Sequence, residues 1–435
     1  MKSNLLLKPI LLVLLLAILL PACTPAAPPS PTPQPPTATS PPQPSATSAP
    51  TSAPTQTTAP LPTDTPPPTM ESTVGPAAGI ILFIGDGMGE AQRTAGRWLS
   101  MGQDGQLAMD QMPVSGWSET RSLSSPITDS AAGATALASG IRTKNHRVGV
   151  DAEGNPTATI LEQAKRLGWS VGLVTTTQMA HATPAAFAAH VLERNDMVEI
   201  ALQMHTLGID VLLGGGEDEF LPHGTTGCFP EFGERSDGRN LIEEAQTAGY
   251  TYVCDAAALN ALDPASTPRL LGLFADEGIS RPFAPSLADM TKIAIQILSQ
   301  NPNGFFLMVE GGQVDWASHD NKAEETMRSV LGLDSAVAVA QVYAATHPDM
   351  LLIVTADHET GGMSASLEST GHYAEDGPFS MPDGTLFYVN WTHGSHTAAN
   401  VPVTAQGPWS ELLAGTYANT YIYQVMAAAL TGIWQ

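Results

Sequence analysis

From residue 79 to the end of the chain, runs of apolar residues alternate with amphipathic stretches. Residues 79–85 (GIILFIG) form a continuous hydrophobic run of strand length, the pattern of a strand covered on both faces in a parallel sheet. The run stops at Asp86-Gly87-Met88-Gly89, and 90–101 then reads as a helix. Further strands are expected over 170–176, 211–213, 251–254, 304–309, 350–356 and 401–405, with helices over 130–139, 239–248, 286–300, 322–345 and 421–430. The helix over 286–300 places Leu287, Met290, Ile293, Ala294 and Ile297 on one face. This alternation predicts an α/β fold of three layers, a largely parallel central sheet flanked by helices. The part spanning 211–254, with Gly214–Gly216 and two cysteines, is expected to be a peripheral elaboration. There is no internal repeat.

Chemistry-bearing residues recur where these strands end, which is where open α/β sheets hold ligands. Asp86 follows the first strand. The strand over 304–309 runs into Glu310-Gly311-Gly312-Gln313-Val314-Asp315-Trp316-Ala317-Ser318-His319. Asp315 and His319, four apart, share one face of a helical turn, a spacing that suits two ligands of one metal or a simple Asp–His hydrogen bond. Asp357-His358-Glu359 follows the most apolar strand. After the strand over 170–176 comes His181-Ala182-Thr183-Pro184, with Thr183 as a helix cap and Pro184 in the first turn. Arg194 lies on or just beyond that helix and reads as an ion-pair partner or an anion clamp. Late in the chain, Thr392-His393-Gly394-Ser395-His396-Thr397 offers two more histidines.

The helix opening at Thr128-Asp129-Ser130 is the centre of this arrangement. Thr128 or Asp129 caps it, alanines fill it and Gly140 stops it. Its first turn presents free N–H groups and the positive end of the helix dipole, so the Ser130 oxygen is partly stabilised as an alkoxide and a phosphate can sit beside it. Alone, the stretch also reads as an ordinary Ala-rich core helix. Four coincidences of acids and histidines with strand ends favour the chemical reading.

The 435 residues carry 42 acidic and 18 basic side chains. Residues 1–74 hold two of each (Asp64 and Glu71, Lys2 and Lys8), so the folded part carries the whole net charge of −24. Such acidity argues against nucleic-acid binding. It also requires a local positive centre for any anionic substrate. At the N-terminus, Lys2 and Lys8 flank the start of an apolar run over 10–20 that is short for a membrane span. The run ends in Leu20-Pro21-Ala22-Cys23, which resembles a bacterial lipobox. The expected organisation is therefore a lipoprotein signal peptide over 1–22, lipid attachment at Cys23, a tether over 23–74 and a catalytic domain over 75–435. The tether is disordered by composition, with 17 prolines among residues 24–74, and reaches roughly 150 Å if extended. Export places the protein in the cell envelope, on the periplasmic or cell-surface side. In that oxidising setting a Cys228–Cys254 disulfide is the simple reading, against two free buried thiols.

Taken together, the IGDGMG strand end, TDSAA, HATPAA followed by Arg194, EGGQVD with His319, TADH and the late histidine resemble the alkaline phosphatase family, in that family's order and over nearly all of 79–430. The resemblance implies a phosphate monoester hydrolase in which Ser130 is the nucleophile and becomes a phosphoserine. It implies Asp315, His319 and His396 as ligands of one zinc, and Asp86, Asp357 and His358 as ligands of a second zinc that also holds the Ser130 oxygen. A third ion, usually magnesium, would be held by Asp86, Thr183 and Glu310, with His181 acting through a water. Arg194 would clamp two phosphate oxygens and Asp129 would orient it. Two zincs about 4 Å apart can stabilise the attacking and leaving oxygens of an in-line displacement. Two departures stand out. The positions of His181 and Trp316 are Asp and Lys in the enterobacterial pattern, and Trp316 can neither ligate nor carry charge, so the third ion's identity is open. The late motif reads HTA where HTG is common, and His393 is a rival to His396. The implied partners are small phosphate monoesters, and a homodimer or a monomer is left open. A phosphodiesterase or sulfatase on the same scaffold, and a tethered solute-binding lipoprotein, are the competing readings.

Overall fold

Every residue of the first strand, β1 (Gly79–Ile84), is buried, and that strand lies in the middle of the sheet. The computed structural model describes residues 75–367 and 375–434; the stretch expected to hold a signal peptide, Cys23 and a tether lies outside them. The other strands of the main sheet are β2 (Val114–Glu119), β3 (Ser170–Gln178), β4 (Val211–Gly215), β5 (Thr251–Val253), β6 (Leu270–Leu273), β7 (Phe305–Glu310), β8 (Met350–Thr355), β9 (Val401–Gln406) and β10 (Gly415–Ala418). Their order is β10-β2-β9-β8-β1-β7-β3-β4-β6-β5. Only β9 runs against the rest, pairing antiparallel with both β2 and β8.

Apolar side chains cover both faces of this sheet, as expected for strands that read as unbroken hydrophobic runs. On one face the helices Ser130–Ser139, Ile160–Arg166, Ala182–Ala188 and Thr420–Thr431 pack through Leu137, Leu161, Phe187 and Val425. On the other, Leu287–Leu298 and Ala323–Ala344 pack through Met290, Ile297, Leu333 and Val337. Each fully buried Leu or Ile side chain contributes about 1.5–3 kcal/mol. Three layers result. A small antiparallel sheet (Ser364–Ser366, Leu386–Asn390, Asp376–Ser380) packs Phe387, Val389 and Trp391 beside the helix Glu90–Met101. No described helix is long and apolar enough to cross a membrane.

The segment expected to be peripheral is part of the main sheet. β4, β5 and β6 extend it in parallel beyond β3. Their short length, three to five residues, hid them as sheet members. Cys254 lies just past β5 and is bonded to Cys228.

Register decides where the chemistry goes. Ile84 aligns with Glu310 on one side and Thr355 on the other, and Glu310 aligns with Thr175. β1, β7 and β8 therefore end level, while β3 continues three residues further, to Gln178. Asp86, Glu310, Asp357 and the turn after β3 emerge at one edge of the sheet.

Candidate active site

Ser130 is the first residue of its helix, and Asp129, not Thr128, is the cap: its Oδ1 accepts the Ala132 N–H at 3.0 Å. Gly140 ends the helix with a φ of 71°. The Ser130 hydroxyl points at the sheet edge, 3.3 Å from His358 Nε2. The same nitrogen lies 3.3 Å from Asp357 Oδ2 and 3.4 Å from Asp86 Oδ1. A second group adjoins it. His319 Nε2 is 3.2 Å from Asp315 Oδ2 and 3.1 Å from His396 Nε2, and His396 Nε2 is 3.6 Å from Asp315 Oδ1. The His358 and His396 rings stack at 3.6 Å, so the two groups touch.

All three histidines are held by their other ring nitrogen. His319 Nδ1 meets the Gly394 carbonyl at 3.1 Å, His396 Nδ1 the Thr128 carbonyl at 2.8 Å, and His358 Nδ1 the Thr360 hydroxyl at 3.2 Å. Tying Nδ1 fixes the ring and leaves Nε2 to bind a cation, the usual support for a metal-ligating histidine.

The donor set fits metal ions. Ligands bound at 2.0–2.1 Å around a tetrahedral zinc stand about 3.3 Å from one another, and the separations in both groups cluster there. Asp86 is fully buried with neither carboxylate oxygen hydrogen-bonded, and Asp357 Oδ2 and Glu310 Oε1 are equally unpartnered. Burial, then the charges of Asp357, Asp315 and Glu310, hold the Asp86 carboxyl well above its usual range. Burial likewise pushes Asp357 to about 6 and Glu310 to about 7. It drives His358 and His396 down to about 4, keeping both neutral and ready to ligate. Burial would also raise Asp315, but its hydrogen bond to His319 and the surrounding histidines pull it down. That bond raises His319 to about 9. Crowded acids whose carboxyls are pushed up by burial and by one another, beside the neutral imidazoles of His358 and His396, are an arrangement that divalent ions complete.

A third group joins Asp86, Glu310 and His181, whose ligand atoms all lie within 4.8 Å of one another. Thr175 and Thr177 hold Glu310 Oε2. The buried Thr183 hydroxyl makes no well-formed hydrogen bond, although it helps hold the Glu310 pKa down. His181 Nδ1 is buried without a partner, and its ring meets Trp316 edge-on at 5.9 Å. Burial, then the Arg194 charge, lowers His181 to about 3.

Arg194 bridges the groups, with Nη1 donating to Asp129 Oδ2 at 3.3 Å and Nη2 lying 3.1 Å from His181 Nε2. An open cleft of about 440 Å³ runs over Ser130, Arg194, Asp315, His319 and His396, rimmed by Ser125, Ile127 and Asn145. His393 is outside it; its Nδ1 accepts the Ser395 N–H at 3.1 Å. The residues expected at the site thus lie together, and His396 rather than its rival lies among the groups that could hold a metal ion.

Thr360, which carries no sequence signal, and Gly87, one of the glycines that follow Asp86, complete the site. Thr360 Oγ1 donates to Asp315 Oδ1 at 2.5 Å while touching His358, joining the two groups. Gly87, at φ 70°, lets Asp315 and Thr360 approach: a Cβ there would lie 2.7–2.9 Å from them.

The family model for alkaline phosphatase matches residues 77–377. Alkaline phosphatase 3 of Bacillus subtilis is 33% identical over 427 residues, covering 81% of this chain and 88% of its own. The alkaline phosphatase of the Antarctic bacterium TAB5 superposes with a TM-score of 0.71 at 31% identity, over 82% of this chain and 98% of that one. A mutant of the TAB5 enzyme, with one histidine replaced by aspartate and magnesium bound in its M3 site, superposes at 0.70 with 30% identity, over 82% and 99%. With the fold, the level strand ends and the cation-ready groups beside Ser130, these matches make the chain a member of the alkaline phosphatase family, a phosphoric monoester hydrolase.

Proposed function

We propose that this phosphatase works through a phosphoserine on Ser130, with two zinc ions and a third ion, outside the cytoplasm. The observation that carries the reading is that Ser130 Oγ, Asp86 Oδ1 and Asp357 Oδ2 each lie 3.3–3.4 Å from His358 Nε2, next to Asp315, His319 and His396. The zinc ions would supply Lewis acidity at both ends of the in-line displacement. Everything else is done by the chain. Arg194 binds two non-bridging phosphate oxygens in a fork that a lysine cannot copy. Asp129 sets the guanidinium's direction and caps the helix whose first N–H groups face the phosphate.

Ser130 Oγ gives up its proton to solvent and attacks phosphorus as the bond to the substrate's alcohol oxygen breaks opposite. The alcohol leaves protonated at solvent's expense through the open cleft. Water then attacks the phosphoserine from the vacated side, returning the hydroxyl and releasing inorganic phosphate. Asp86, Thr183 and Glu310 offer the oxygen donors magnesium takes. His181 adds a nitrogen that suits zinc better, so loading at this position depends on which ion is supplied.

Export and lipid attachment at Cys23 complete the reading, and the Cys228–Cys254 bridge supports an oxidising compartment. The test is turnover of a chromogenic monoester at alkaline pH, with and without chelator, and acid trapping of the phosphoenzyme. Chelator-sensitive turnover, and a trapped phosphoryl group lost in Ser130→Ala, are expected. Full activity in that variant, or insensitivity to chelator, would falsify the mechanism. Replacing Cys23 by Ala should release the protein from the membrane fraction.

A further inference from the structure

Only three non-glycine residues among those described have a positive φ: His146, Asn321 and Trp409. His146, at 72°, directly follows Asn145 on the rim of the cleft. Such a conformation is uncommon for residues with a Cβ, and it persists only where the surroundings demand it. The Arg147 N–H donates to the Lys144 carbonyl at 3.2 Å, closing a four-residue turn over 144–147. A positive φ at the third position of such a turn is the type II pattern, in which the central peptide is flipped relative to type I.

The flip has a chemical target. The flipped peptide's N–H, belonging to His146, donates to Asp129 Oδ2 at 2.9 Å. The same oxygen accepts Arg194 Nη1 at 3.3 Å. At the other end of the residue, the His146 carbonyl accepts the Arg194 backbone N–H at 2.8 Å. One residue thus ties down both members of the Asp129–Arg194 pair with its main chain alone. Its imidazole is 63% exposed and approaches only to 3.9 Å from Asp129 and 3.8 Å from Glu193, beyond hydrogen-bond range. In a type I turn the same N–H would face away, and Asp129 Oδ2 would lose a charge-assisted bond.

We infer that His146 is a positioning residue for phosphate binding: its left-handed backbone aims one N–H at Asp129 and one carbonyl at Arg194, holding the guanidinium fork in place. The inference rests on Arg194 being the phosphate clamp. It concerns the backbone and predicts indifference to the imidazole.

The experiment measures kcat, KM and the inhibition constant of inorganic phosphate on metal-loaded protein, with thermal midpoints alongside. A β-branched residue resists positive φ, so His146→Val should raise the phosphate inhibition constant and the monoester KM by about tenfold, the effect of losing one hydrogen bond to a charged group. His146→Gly and His146→Asn, which accept positive φ, should restore wild-type values. A merely structural role would lower the midpoint without moving the inhibition constant. If His146→Val does not fold, His146→Ala carries the test: weaker phosphate binding than His146→Gly supports the inference, and equality with it overturns it. Equal losses in the Gly and Val variants would assign the effect to the imidazole and also overturn it. Arg194→Ala separates the two layers. A raised constant there with none in His146→Val sinks this inference alone, whereas no change in Arg194→Ala sinks the clamp reading and this inference together.

Discussion

Replacing Asp86 by Asn should stabilise the metal-free protein and destabilise the metal-loaded one. Asp86 is fully buried, both its oxygens lack partners, and Asp357, Asp315 and Glu310 surround it. Without ions the carboxyl must either stay charged among like charges or hold a proton against its ordinary pKa, and either costs stability. An amide at that position carries no charge and can donate to the neighbouring acids. With ions, Asp86 belongs to both the Asp357–His358 and the His181–Glu310 groups, so the substitution weakens two sites at once. An ion supplied at 100 times its dissociation constant stabilises by about 2.7 kcal/mol. Unfolding roughly 350 residues releases about 0.7 kcal/mol per kelvin near the midpoint. Each ion therefore raises the midpoint by about 4 °C, and three by about 11 °C. Calorimetry of wild type and Asp86→Asn, each chelated and reloaded, reads both effects. The wild type should lose about 10 °C on chelation. The variant should start lower, lose less, and end at or above the chelated wild type. A wild-type midpoint indifferent to chelator, or a chelated variant clearly below the chelated wild type, would refute the argument.

Other expectations follow from single contacts. Arg194→Lys keeps the charge but loses the fork, and phosphate inhibition should weaken by roughly tenfold or more, measured on loaded protein. His190 touches Glu162 at 3.0 Å and the Gly149 carbonyl at 2.6 Å, and its hydrogen bond to Glu162 raises its pKa. A raised histidine pKa means stability that is complete below the unfolded value near 6.5 and is lost as pH rises through the folded value. The gap in thermal midpoint between wild type and His190→Gln should therefore shrink from pH 6 to pH 9; a constant gap contradicts it. The Cys228–Cys254 bridge spans 26 residues, so Cys→Ser at both positions should lower stability by roughly 3 kcal/mol, about 4 °C by calorimetry.

What could be read without coordinates had a physical cause. β1, β7 and β8 are covered on both faces, so they appear as unbroken apolar runs, and the acids that end them stand out. β2 (VSGWSE) is half exposed and β10 (GTYA) is mostly exposed, so neither produces such a run, and both were missed. β6, four residues long with a glycine, carries too little pattern to declare itself. At the site, the ligating types are chemically distinctive and were legible from residue type and position. The residues that hold them were not. Thr360 acts because a turn places its hydroxyl between Asp315 and His358, and Thr175 and Thr177 act because alternate residues of β3 face Glu310. His146 uses only its main chain, which its side-chain identity barely advertises.

The same geometry resolves how a chain of net charge −24 can receive a phosphate dianion. Asp86, Asp129, Asp315, Asp357 and Glu310 face the cleft floor or lie directly behind it, and Arg194 is the cation among them. Counted formally, with every acid ionised and the imidazoles neutral as metal binding requires, those five carboxylates and one guanidinium sum to −4, so the residues alone do not make a site for an anion. Three divalent ions would reverse the sign to +2 inside walls of low dielectric, where the field acts at full strength on a buried ligand. Metal loading is then a condition for binding phosphate as well as for turning it over. Phosphate affinity should fall with metal content even in Ser130→Ala, where no chemistry occurs. Calorimetric titration of that variant, loaded and chelated, checks this: equal affinities in the two forms would mean that Arg194 and the helix N–H groups overcome the surrounding acids unaided.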